Sequence, residues 1–523
     1  MAAASASAAQ LAVVAEQGRN QVSLISTATS ERIGTPIGTG MLPTGVAITP
    51  DGQSAYVTNF SDDTVSVVEV GSPHNVITIE NVGIGPTGVA ITPNGRYAYV
   101  TDKISGEVTV ISTRTKEVVK SIPVGLEPVG VAISPSGGNF AYVAEEGKHE
   151  GEVVVIDTET MTESGARIAV GKGPQGIEFA PGGTAFVVDE SELDEVSAIN
   201  ISTREVTPIP LKGGEPETIT ISPDGTEAYV VGGNLITVLD TGTKSESGQI
   251  KVGGVPREVA FAANGKTAYV TVTTPPQVQR INVETGLPLG APIALPGEAP
   301  LGIALTPDQS PVAVFTPPSA TVGIPAPFNG SASTDADGSI ASYNWTFEDG
   351  RDATGVNAVH TFLTAGQFNA KLTVVDDEGC GEAMVFTGRT AYCSGGASSV
   401  SHPVVVKAAE AAEATPPVCK TNFGVGGVTN NRKNGTVKLR VSLHTAGSIF
   451  LFGKKVHAVS RKTKAAGTMT LTIHARVELN KQLKKIHHAR VPIRITFTPS
   501  NACGYKTVHR SIPLLRATKK HRH

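Results

Sequence analysis

The chain is poor in cysteine and in aromatic residues. Only four of its 523 residues are Cys, one is Trp, and Phe, Trp and Tyr together make up 5%. The absence of a Cys-x-x-Cys pair argues against a zinc ribbon or a redox motif. An even cysteine count in a glycine- and proline-rich chain predicts two disulfides in an oxidising compartment. We expect Cys380–Cys393 and Cys419–Cys503, although the sequence leaves connectivity open.

Long apolar runs and familiar catalytic signatures are also missing. No apolar stretch reaches the roughly 18 residues needed to span a bilayer, so we expect no transmembrane helix. The opening MAAASASAAQLAVVAEQ has no basic and no strongly apolar segment, so no secretory signal is evident there. The motifs G-x-S-x-G, H-E-x-x-H and the P-loop do not occur. GIGPTG (83–88) and GKGPQG (171–176) contain proline and precede strands, which argues against a dinucleotide site.

Charge is distributed unevenly along the chain. From Cys419 onward 22 Lys and Arg face a single acidic residue, Glu478, whereas the remainder carries 21 basic and 46 acidic residues. The net charges of about +21 and about −25 predict a basic C-terminal body and an acidic remainder.

A repeat dominates the first three hundred residues. The unit P-x-G-V-A-I-[ST]-P-[DNS]-G recurs at intervals of 40–46 residues, starting at Pro43, Pro86, Pro128, Pro174, Pro216, Pro256 and Pro300. Each copy alternates apolar and small residues, breaks at a turn such as Pro-Asp-Gly, and alternates again, which predicts two strands and a tight hairpin. Two further strands follow in each copy. Seven such units predict a seven-bladed β-propeller in which LAVVAEQGRNQVSLIST (11–27) completes the blade begun at residue 300.

The segments AYVTN, AYVTD and AYVTV at 55–59, 98–102 and 268–272 resemble the YVTN-type propellers of surface-layer and other secreted microbial proteins. The stretch FNGSASTDADGSIASYNWTFEDG (328–350) resembles a PKD domain, an Ig-like sandwich, with an extra hairpin at Cys380–Cys393. GTVKLRVSL and AAGTMTLTI resemble the basic β modules that end many actinobacterial secreted proteins.

The predicted fold is therefore all-β, a seven-bladed β-propeller followed by two Ig-like β-sandwich domains. We expect the propeller at 1–309, the PKD-like sandwich at 310–407, a linker at 408–418, the basic sandwich at 419–515 and a disordered basic tail at 516–523. The basic sandwich is expected to be built of strands, including GTMTLTIHARVELNKQLKKI (467–486).

Two charged surfaces are candidate binding sites. Acidic loops of several blades predict an acidic rim on one face of the propeller, formed by Asp62, Asp63, Asp102, Glu145, Glu146, Asp189, Glu190 and Glu192. The basic module offers an opposite surface, formed by Lys454, Lys455, Arg461, Lys462, Lys464, Lys481, Lys484, Lys485 and Arg490. TDADG (334–338) opens like a calcium loop, but Thr346 stands where the bidentate Glu belongs, so we expect no metal.

These features favour a non-catalytic secreted or cell-surface protein for adhesion or scaffolding, with no cofactor. Its expected partners are an anionic cell-wall polymer or polysaccharide, or another surface protein. Nucleic acid is disfavoured because few aromatics interleave the basic residues. The basic module could also dock on the acidic rim. The alternative is a propeller-borne enzyme such as a lactonase or a quinoprotein-like oxidoreductase; against it, the innermost strands carry mostly Gly, Val, Ala, Ile and Thr.

Overall fold

A computed structural model describes residues 10–71, 74–135, 137–147, 151–190, 194–295, 299–409, 423–500 and 504–517. The chain divides into two compact units. The first comprises 1–318, 327–359 and 368–403, and the second comprises 319–326, 360–367 and 404–523. Within the described residues no helix is long and apolar enough to cross a membrane.

The first three blades of the propeller each form one antiparallel sheet. Blade 1 comprises Pro43–Ile48, Ser54–Asn59, Thr64–Glu69 and Val76–Ile79. Blade 2 comprises Pro86–Ile91, Tyr97–Asp102, Glu107–Ser112 and Glu117–Pro123. Blade 3 comprises Pro128–Ile133, Phe140–Glu145, Gly151–Asp157 and an outer strand in two pieces, Thr162–Glu163 and Ile168–Val170.

The remaining four blades complete the ring. Blade 4 comprises Pro174–Ala180, Thr184–Asp189, Glu195–Asn200 and Val206–Pro210. Blade 5 comprises Pro216–Ile221, Glu227–Gly232, Leu235–Asp240 and Ser245–Ile250. Blade 6 comprises Pro256–Phe261, Thr267–Thr273, Pro276–Asn282, Leu287–Pro288 and Ile293–Ala294. Blade 7 joins Pro300–Leu305 to Leu11–Glu16, Gln21–Ser26 and Glu31–Gly38, with the 3-10 turn Gln17–Arg19 between the first two N-terminal strands.

The repeated letters of the sequence have distinct roles in this ring. In the turn of blade 1, the Asp51 carboxylate accepts hydrogen bonds from Thr49 Oγ1 (2.5 Å) and Gln53 N (3.0 Å), and Gly52 adopts a φ of +69°. A side-chain-bonded turn with a left-handed glycine makes a tight hairpin. In the following AYVTN strand, Tyr56 is buried between blades, and Thr58 Oγ1 donates to Thr87 O of the next blade at 2.7 Å. The motif therefore ties each blade to its neighbour as well as forming a strand.

Residues after the propeller form the strands of a sandwich: Ala320–Thr321, Ala326–Asn329, Ile340–Phe347, Arg351–Thr354, Asn357–His360, Gly366–Asp376 and Ser399–Lys407. Val385–Phe386 and Ala391–Cys393 form a separate two-stranded hairpin. Trp345 is fully buried, as its apolar area predicts, and packs edge-on against Phe315 with ring centroids 5.0 Å apart. Its Nε1 donates to Gly355 O at 2.9 Å, so the polar end of the ring is also satisfied.

The C-terminal part of the second unit has two sheets around one apolar core. One contains Phe423–Asn431, Thr436–Leu443 and Gly467–Ile473. The other contains Val456–Thr463, Gly447–Gly453, His488–Pro499 and Lys506–Leu515.

One expectation about this unit is wrong. Residues Val477–Ile486 form an α-helix rather than a continued strand. Leu479 and Leu483 are the buried residues of the helix, and a spacing of four places them on one helical face against the core. Lys484 and Lys485 lie in its last turn, where positive charge complements the helix dipole.

Candidate active site in the propeller channel

A hairpin from the third segment of the first unit, residues 368–403, closes one end of the propeller channel. The Cys380–Cys393 disulfide, with a Cα–Cα distance of 5.5 Å, joins its two ends. The hairpin forms hydrogen bonds with the ends of the innermost strands of five blades. Four of these strands donate a backbone N–H to the hairpin: Ile48 N to Thr390 Oγ1 (3.0 Å), Ile91 N to Arg389 O (3.1 Å), Ile133 N to Gly388 O (2.7 Å) and Phe179 N to Thr387 O (2.7 Å). In the fifth blade, Ile221 O accepts from Tyr392 Oη at 2.7 Å. The innermost strands thus satisfy part of their backbone through the hairpin.

Glycine at the hairpin tip is required by the close fit. Gly388 has a φ of +140°, and a Cβ there would lie 2.8 Å from Ala132 Cβ. A larger residue would therefore both strain the backbone and push the hairpin out of the channel.

Arg389 is held between two buried carboxylates of the propeller. Its Nε lies 3.0 Å from Glu178 Oε1, and its Nη1 bonds to Glu258 Oε1. Burial raises the pKa of the Glu178 carboxyl, and the positive charge of Arg389 opposes that rise. Glu178 Oε2 also accepts from Ile221 N at 2.8 Å, and Glu258 Oε2 accepts from Ile303 N at 2.9 Å. The cluster fixes the guanidinium between blades 4 and 6.

Beyond the hairpin the channel widens into a cavity of about 330 Å³. This volume lies within the range of small-molecule sites. The cavity is lined by the beginnings of the innermost strands and by Arg389. Its polar lining consists of Thr44, Thr87, Gln175, Glu190, Glu217, Thr218, Arg257, Glu258 and Arg389.

Most blades present glycine to this cavity because the next blade comes very close. A Cβ on Gly45 would collide with Thr87 O, and one on Gly130 would collide with Gln175 O. Blades 5 and 6 depart from this pattern and place Thr218 and Glu258 at the same position of the repeat. The chemical character of the cavity therefore comes mainly from these two blades.

Arg257 is positioned by a carboxylate and keeps donor capacity. Its Nη1 donates to both oxygens of Glu217 at 2.9 Å, and its buried Nε has no partner among the described residues. A guanidinium held from one side can direct its remaining N–H groups at a carbonyl or an oxyanion.

Glu190 lies at the mouth of the same cavity on blade 4. It forms no ion pair within the described part of the chain. Partial desolvation raises the pKa of its carboxyl, and the nearby carboxylate of Glu217 raises it further. A carboxylate with a raised pKa that faces a cavity is suited to general-base chemistry near neutral pH.

The predicted acidic rim is distributed over different environments. Asp102, Glu145 and Asp189, at the ends of second strands, are buried rather than exposed. Asp102 accepts from Thr109 Oγ1 and Asp189 from Ser197 Oγ, both at 2.6 Å, and burial raises the pKa of each carboxyl to about 7. Glu145 pairs with Arg167 at 2.5 Å.

The other predicted rim residues lie nearer the surface. Asp62 accepts from Met41 N (2.7 Å), Asp63 accepts from Gly85 N (2.9 Å), and Glu146 pairs with Lys103 (3.1 Å). Glu192 lies outside the described residues. Among the described members of the predicted set, Glu190 alone contributes to the cavity lining.

The predicted basic residues are all exposed, in two groups. One group follows a hairpin turn and the edge strand after it, at Lys454, Lys455, Arg461, Lys462 and Lys464. The other lies on the helix at Lys481, Lys484 and Lys485 and on the next strand at Arg490. Cys419 and Cys503 lie outside the described residues, whereas the expected Cys380–Cys393 disulfide is confirmed.

A buried acidic cluster accompanies the TDADG turn. Asp308 Oδ2, Asp335 Oδ2, Asp376 Oδ2 and Glu378 Oε2 are buried and lack hydrogen-bond partners among the described residues. Burial, followed by the nearby Asp337 carboxylate, raises the pKa of Asp308 to about 9. Such an oxygen set has the chemistry of a hard-cation site. Cys380 lies beside it but is committed to the disulfide.

The sequence contained a signal for the cavity residues that the motif search missed. Glu178 stands where most other copies have Ala. Thr218 and Glu258 stand where the other five copies have Gly, and the charged residues Glu217 and Arg257 precede them where those copies have Thr, Val, Gln or Leu. Each of these departures lines the channel. Comparing the repeats position by position would have revealed them. Arg389 has no such signal because it lies outside the repeats.

Comparisons with known proteins agree with this architecture. Residues 46–219 match the family described as lactonase, 7-bladed beta-propeller, and residues 308–390 match the PKD domain family. A protein of unknown function from Desulfotomaculum acetoxidans is 22% identical, with a TM-score of 0.50, over 56% of this chain and 98% of its own. A protein of Bacteroides fragilis provisionally named 6-phosphogluconolactonase is 17% identical, with a TM-score of 0.47, over 57% and 98%.

The similarity to curated proteins is confined to a short stretch. Collagenase ColQ1 of Bacillus cereus is 42% identical over 69 residues, which is 11% of this chain and 7% of the collagenase. The chain thus spans less than a tenth of that relative's length.

The expectation of a non-catalytic protein is wrong. The match of residues 46–219 to the lactonase family points to a catalytic propeller, and the expectation failed because innermost-strand composition was averaged over all blades. Its fold class is confirmed: the chain carries a lactonase-like seven-bladed β-propeller followed by a PKD domain.

Proposed function

We propose that the propeller hydrolyses a lactone in the channel cavity. The observation that carries the proposal is the arrangement of Arg257, held by Glu217, on the same cavity as the unpaired carboxylate of Glu190. An oriented cation and a base on the lining of one cavity are what the opening of a cyclic ester requires. The family match over residues 46–219 supports this choice among hydrolytic reactions.

The reaction follows from these roles. The Glu190 carboxylate takes a proton from a water molecule as the water oxygen adds to the acyl carbon of the lactone. The carbonyl electron pair moves onto oxygen, where the Arg257 guanidinium stabilises the negative charge. The ring C–O bond then breaks, and the proton on Glu190 passes to the departing alkoxide. One water is consumed and a hydroxy acid is formed.

Proton release at constant pH, with glucono-δ-lactone and δ-valerolactone as probes, tests the proposal. We expect Glu190→Gln to lower kcat by about 10²–10⁴-fold, as loss of a general base does. Arg257→Gln should lower it by about 10²–10³-fold, as loss of an oxyanion donor does. Asp62→Asn, an exposed carboxylate outside the cavity, is the matched control and should retain wild-type rates. Equal rates in all three variants would place the chemistry elsewhere.

We also propose an extracellular protein whose basic C-terminal unit binds an anionic polymer of the cell surface. A disulfide and a PKD domain support the location, and the exposed groups of Lys and Arg support the partner class. The finer resemblance to YVTN-type surface-layer propellers and to actinobacterial modules belongs to the same proposal. Fractionation of the native source, with the protein assayed in medium, wall and cell interior, tests the location.

A further inference from the structure

The hairpin forms one end of the cavity, which we call its floor, and Arg389 is the residue that the hairpin places there. Among the described hairpin residues, Arg389 is the one that lines the cavity of about 330 Å³. Its side chain is 23% accessible although the hairpin is bonded to the propeller on several sides. Arg389 is thus a partly accessible side chain in the lining of the cavity.

One edge of the guanidinium remains available. Nε and Nη1 are bonded to Glu178 and Glu258, whereas the Nη2 contact to Thr220 Oγ1 is 3.5 Å, the limit of a hydrogen bond. Five N–H groups in a fixed fork cannot all be satisfied by this arrangement. The geometry leaves donor capacity for an oxygen atom of a ligand at the channel floor.

The charges around the cavity favour an uncharged ligand. Arg389 is neutralised by Glu178 and Glu258, and Arg257 is neutralised by Glu217. The ionised groups in and beside the cavity are two guanidinium groups and four carboxylates, namely those of Glu178, Glu190, Glu217 and Glu258. Their formal charges sum to −2. A phosphate or carboxylate would meet net repulsion there, whereas Thr44, Thr87, Gln175 and Thr218 offer partners for hydroxyl groups.

We infer that Arg389, carried by the hairpin of the domain that follows the propeller, is a specificity-determining residue that binds the hydroxyl-bearing end of an uncharged, polyhydroxylated lactone. This inference rests on the proposed lactone hydrolysis and names its substrate class. It also makes the hairpin part of the active site, because Arg389 lines the same cavity as Arg257 and Glu190.

The first test separates binding from chemistry. We expect Arg389→Gln to raise KM for glucono-δ-lactone at least tenfold with kcat within about threefold, as loss of a charge-assisted hydrogen bond does. Arg389→Lys should be intermediate. Arg389→Gln leaves the buried carboxylates of Glu178 and Glu258 without their cation. The triple variant R389Q/E178Q/E258Q replaces all three charges with amides, so it repeats the KM measurement without unpaired buried charges. Asp62→Asn, which lies outside both the cavity and the hairpin, is the control and should keep the wild-type KM.

The second test addresses charge selectivity. The wild type should have a kcat/KM at least tenfold higher for glucono-δ-lactone than for its 6-phosphate. The double variant E178Q/E258Q, which leaves the Arg389 charge unbalanced, should shift that ratio towards the phosphate by at least tenfold. A wild-type preference for the phosphate, or an unchanged ratio in the double variant, overturns the inference.

Calorimetric titration with gluconolactam, an amide analogue that lacks the ester bond of the lactone, measures binding without hydrolysis. It therefore tests the role of Arg389 separately from the proposed hydrolysis. Lactam binding that weakens in Arg389→Gln and in the triple variant supports the inference even if no lactone is turned over. Wild-type hydrolysis with unchanged KM and lactam affinity in the Arg389 variants overturns it and leaves the proposed function standing. A wild type that neither binds lactam nor hydrolyses lactone overturns both.

Discussion

At the scale of single residues, equivalent positions in different blades differ in whether the buried side chain can ionise. Asn59, Asp102 and Asp189 end the second strands of blades 1, 2 and 4, and each bonds to a hydroxyl of the third strand, Ser66, Thr109 or Ser197. A buried Asn makes this contact without charge. A buried Asp must either hold a proton or carry a poorly solvated charge.

This difference predicts a pH dependence of stability. The pKa of Asp102 and Asp189 is raised from an ordinary value of 3.8 to about 7 by burial, so both are protonated in the folded state at pH 5 and ionised in the unfolded state. Their contribution is fully present below pH 4 and is lost as the pH rises through about 7, by up to about 1.4 kcal/mol per pH unit for each group. Urea denaturation of D102N/D189N between pH 5 and 8 should show a flatter profile than the wild type.

The reciprocal variant is the control for that prediction. Asn59→Asp should introduce in blade 1 the same loss of stability on raising the pH from 5 to 8. A wild-type profile that neither substitution alters would show that these carboxyls titrate normally.

The raised pKa of Glu190 predicts a pH–rate profile. Because the ionised form is the base, kcat/KM should rise with pH through a pKa above the ordinary carboxyl range of about 4.3. Glu217→Gln removes a neighbouring negative charge and frees the Arg257 charge, and both effects should move the acidic limb to lower pH. A limb that stays in place in Glu217→Gln would mean that another group is the base.

Residue-level function was partly readable from the sequence. Glu178, Glu217, Arg257 and Glu258 depart from a repeat whose register is plain, so a comparison of copies reveals them. Arg389 pairs with residues 211 and 131 positions away, and no local pattern encodes such a contact.

At the scale of elements, the hairpin is the feature with most influence on the site. The disulfide closes a loop of 14 residues, counted from Cys380 to Cys393, and constrains the unfolded chain by about 3 kcal/mol in the entropic account. We expect C380S/C393S to lower the free energy of unfolding by roughly that amount and to raise KM for lactone, because the tip that carries Arg389 is held less firmly. Guanidinium denaturation and steady-state kinetics measure the two effects. Lower stability with an unchanged KM would show that the propeller contacts alone position the tip.

Strands were easier to predict than the helix. The propeller strands follow from period-two alternation and from turns such as Pro-Asp-Gly, where local chemistry and tertiary packing agree. In the segment VELNKQLKKI the spacing of four between Leu479 and Leu483 is helical, and the burial of both side chains against the core agrees with it; the strand prediction extended the alternation of the preceding segment too far. The sequence showed the extra hairpin as an interruption of the PKD pattern. It did not show that the hairpin binds the innermost propeller strands, because these contacts join residues far apart in the chain.

At the scale of the whole molecule, the charge division predicts salt-sensitive attachment. The exposed lysines Lys481, Lys484 and Lys485 lie on one short helix, so K481E/K484E/K485E reverses a compact patch without touching the core. We expect the full-length variant to co-sediment with purified anionic wall polymer less than the wild type at low salt. The Gln triple variant should be intermediate, and binding of the wild type should fall as salt screens the charges. Equal sedimentation of all three proteins would exclude this helix as the contact.

On the proposed function, the ring and the hairpin, both in the first compact unit, form one active site from two successive sequence domains. The fold class was predictable because seven registered copies specify a propeller, whereas catalysis was not, because it depends on which copies depart from the repeat and on what fills the channel.

The most direct test of this account is a crystal structure of the wild type soaked with gluconolactam. We predict the lactam in the channel cavity, with its carbonyl oxygen bonded to Arg257, its hydroxyl groups at Arg389, and Glu190 beside the carbonyl carbon. A lactam bound at any other position, in an enzyme that hydrolyses the corresponding lactone, would contradict the account.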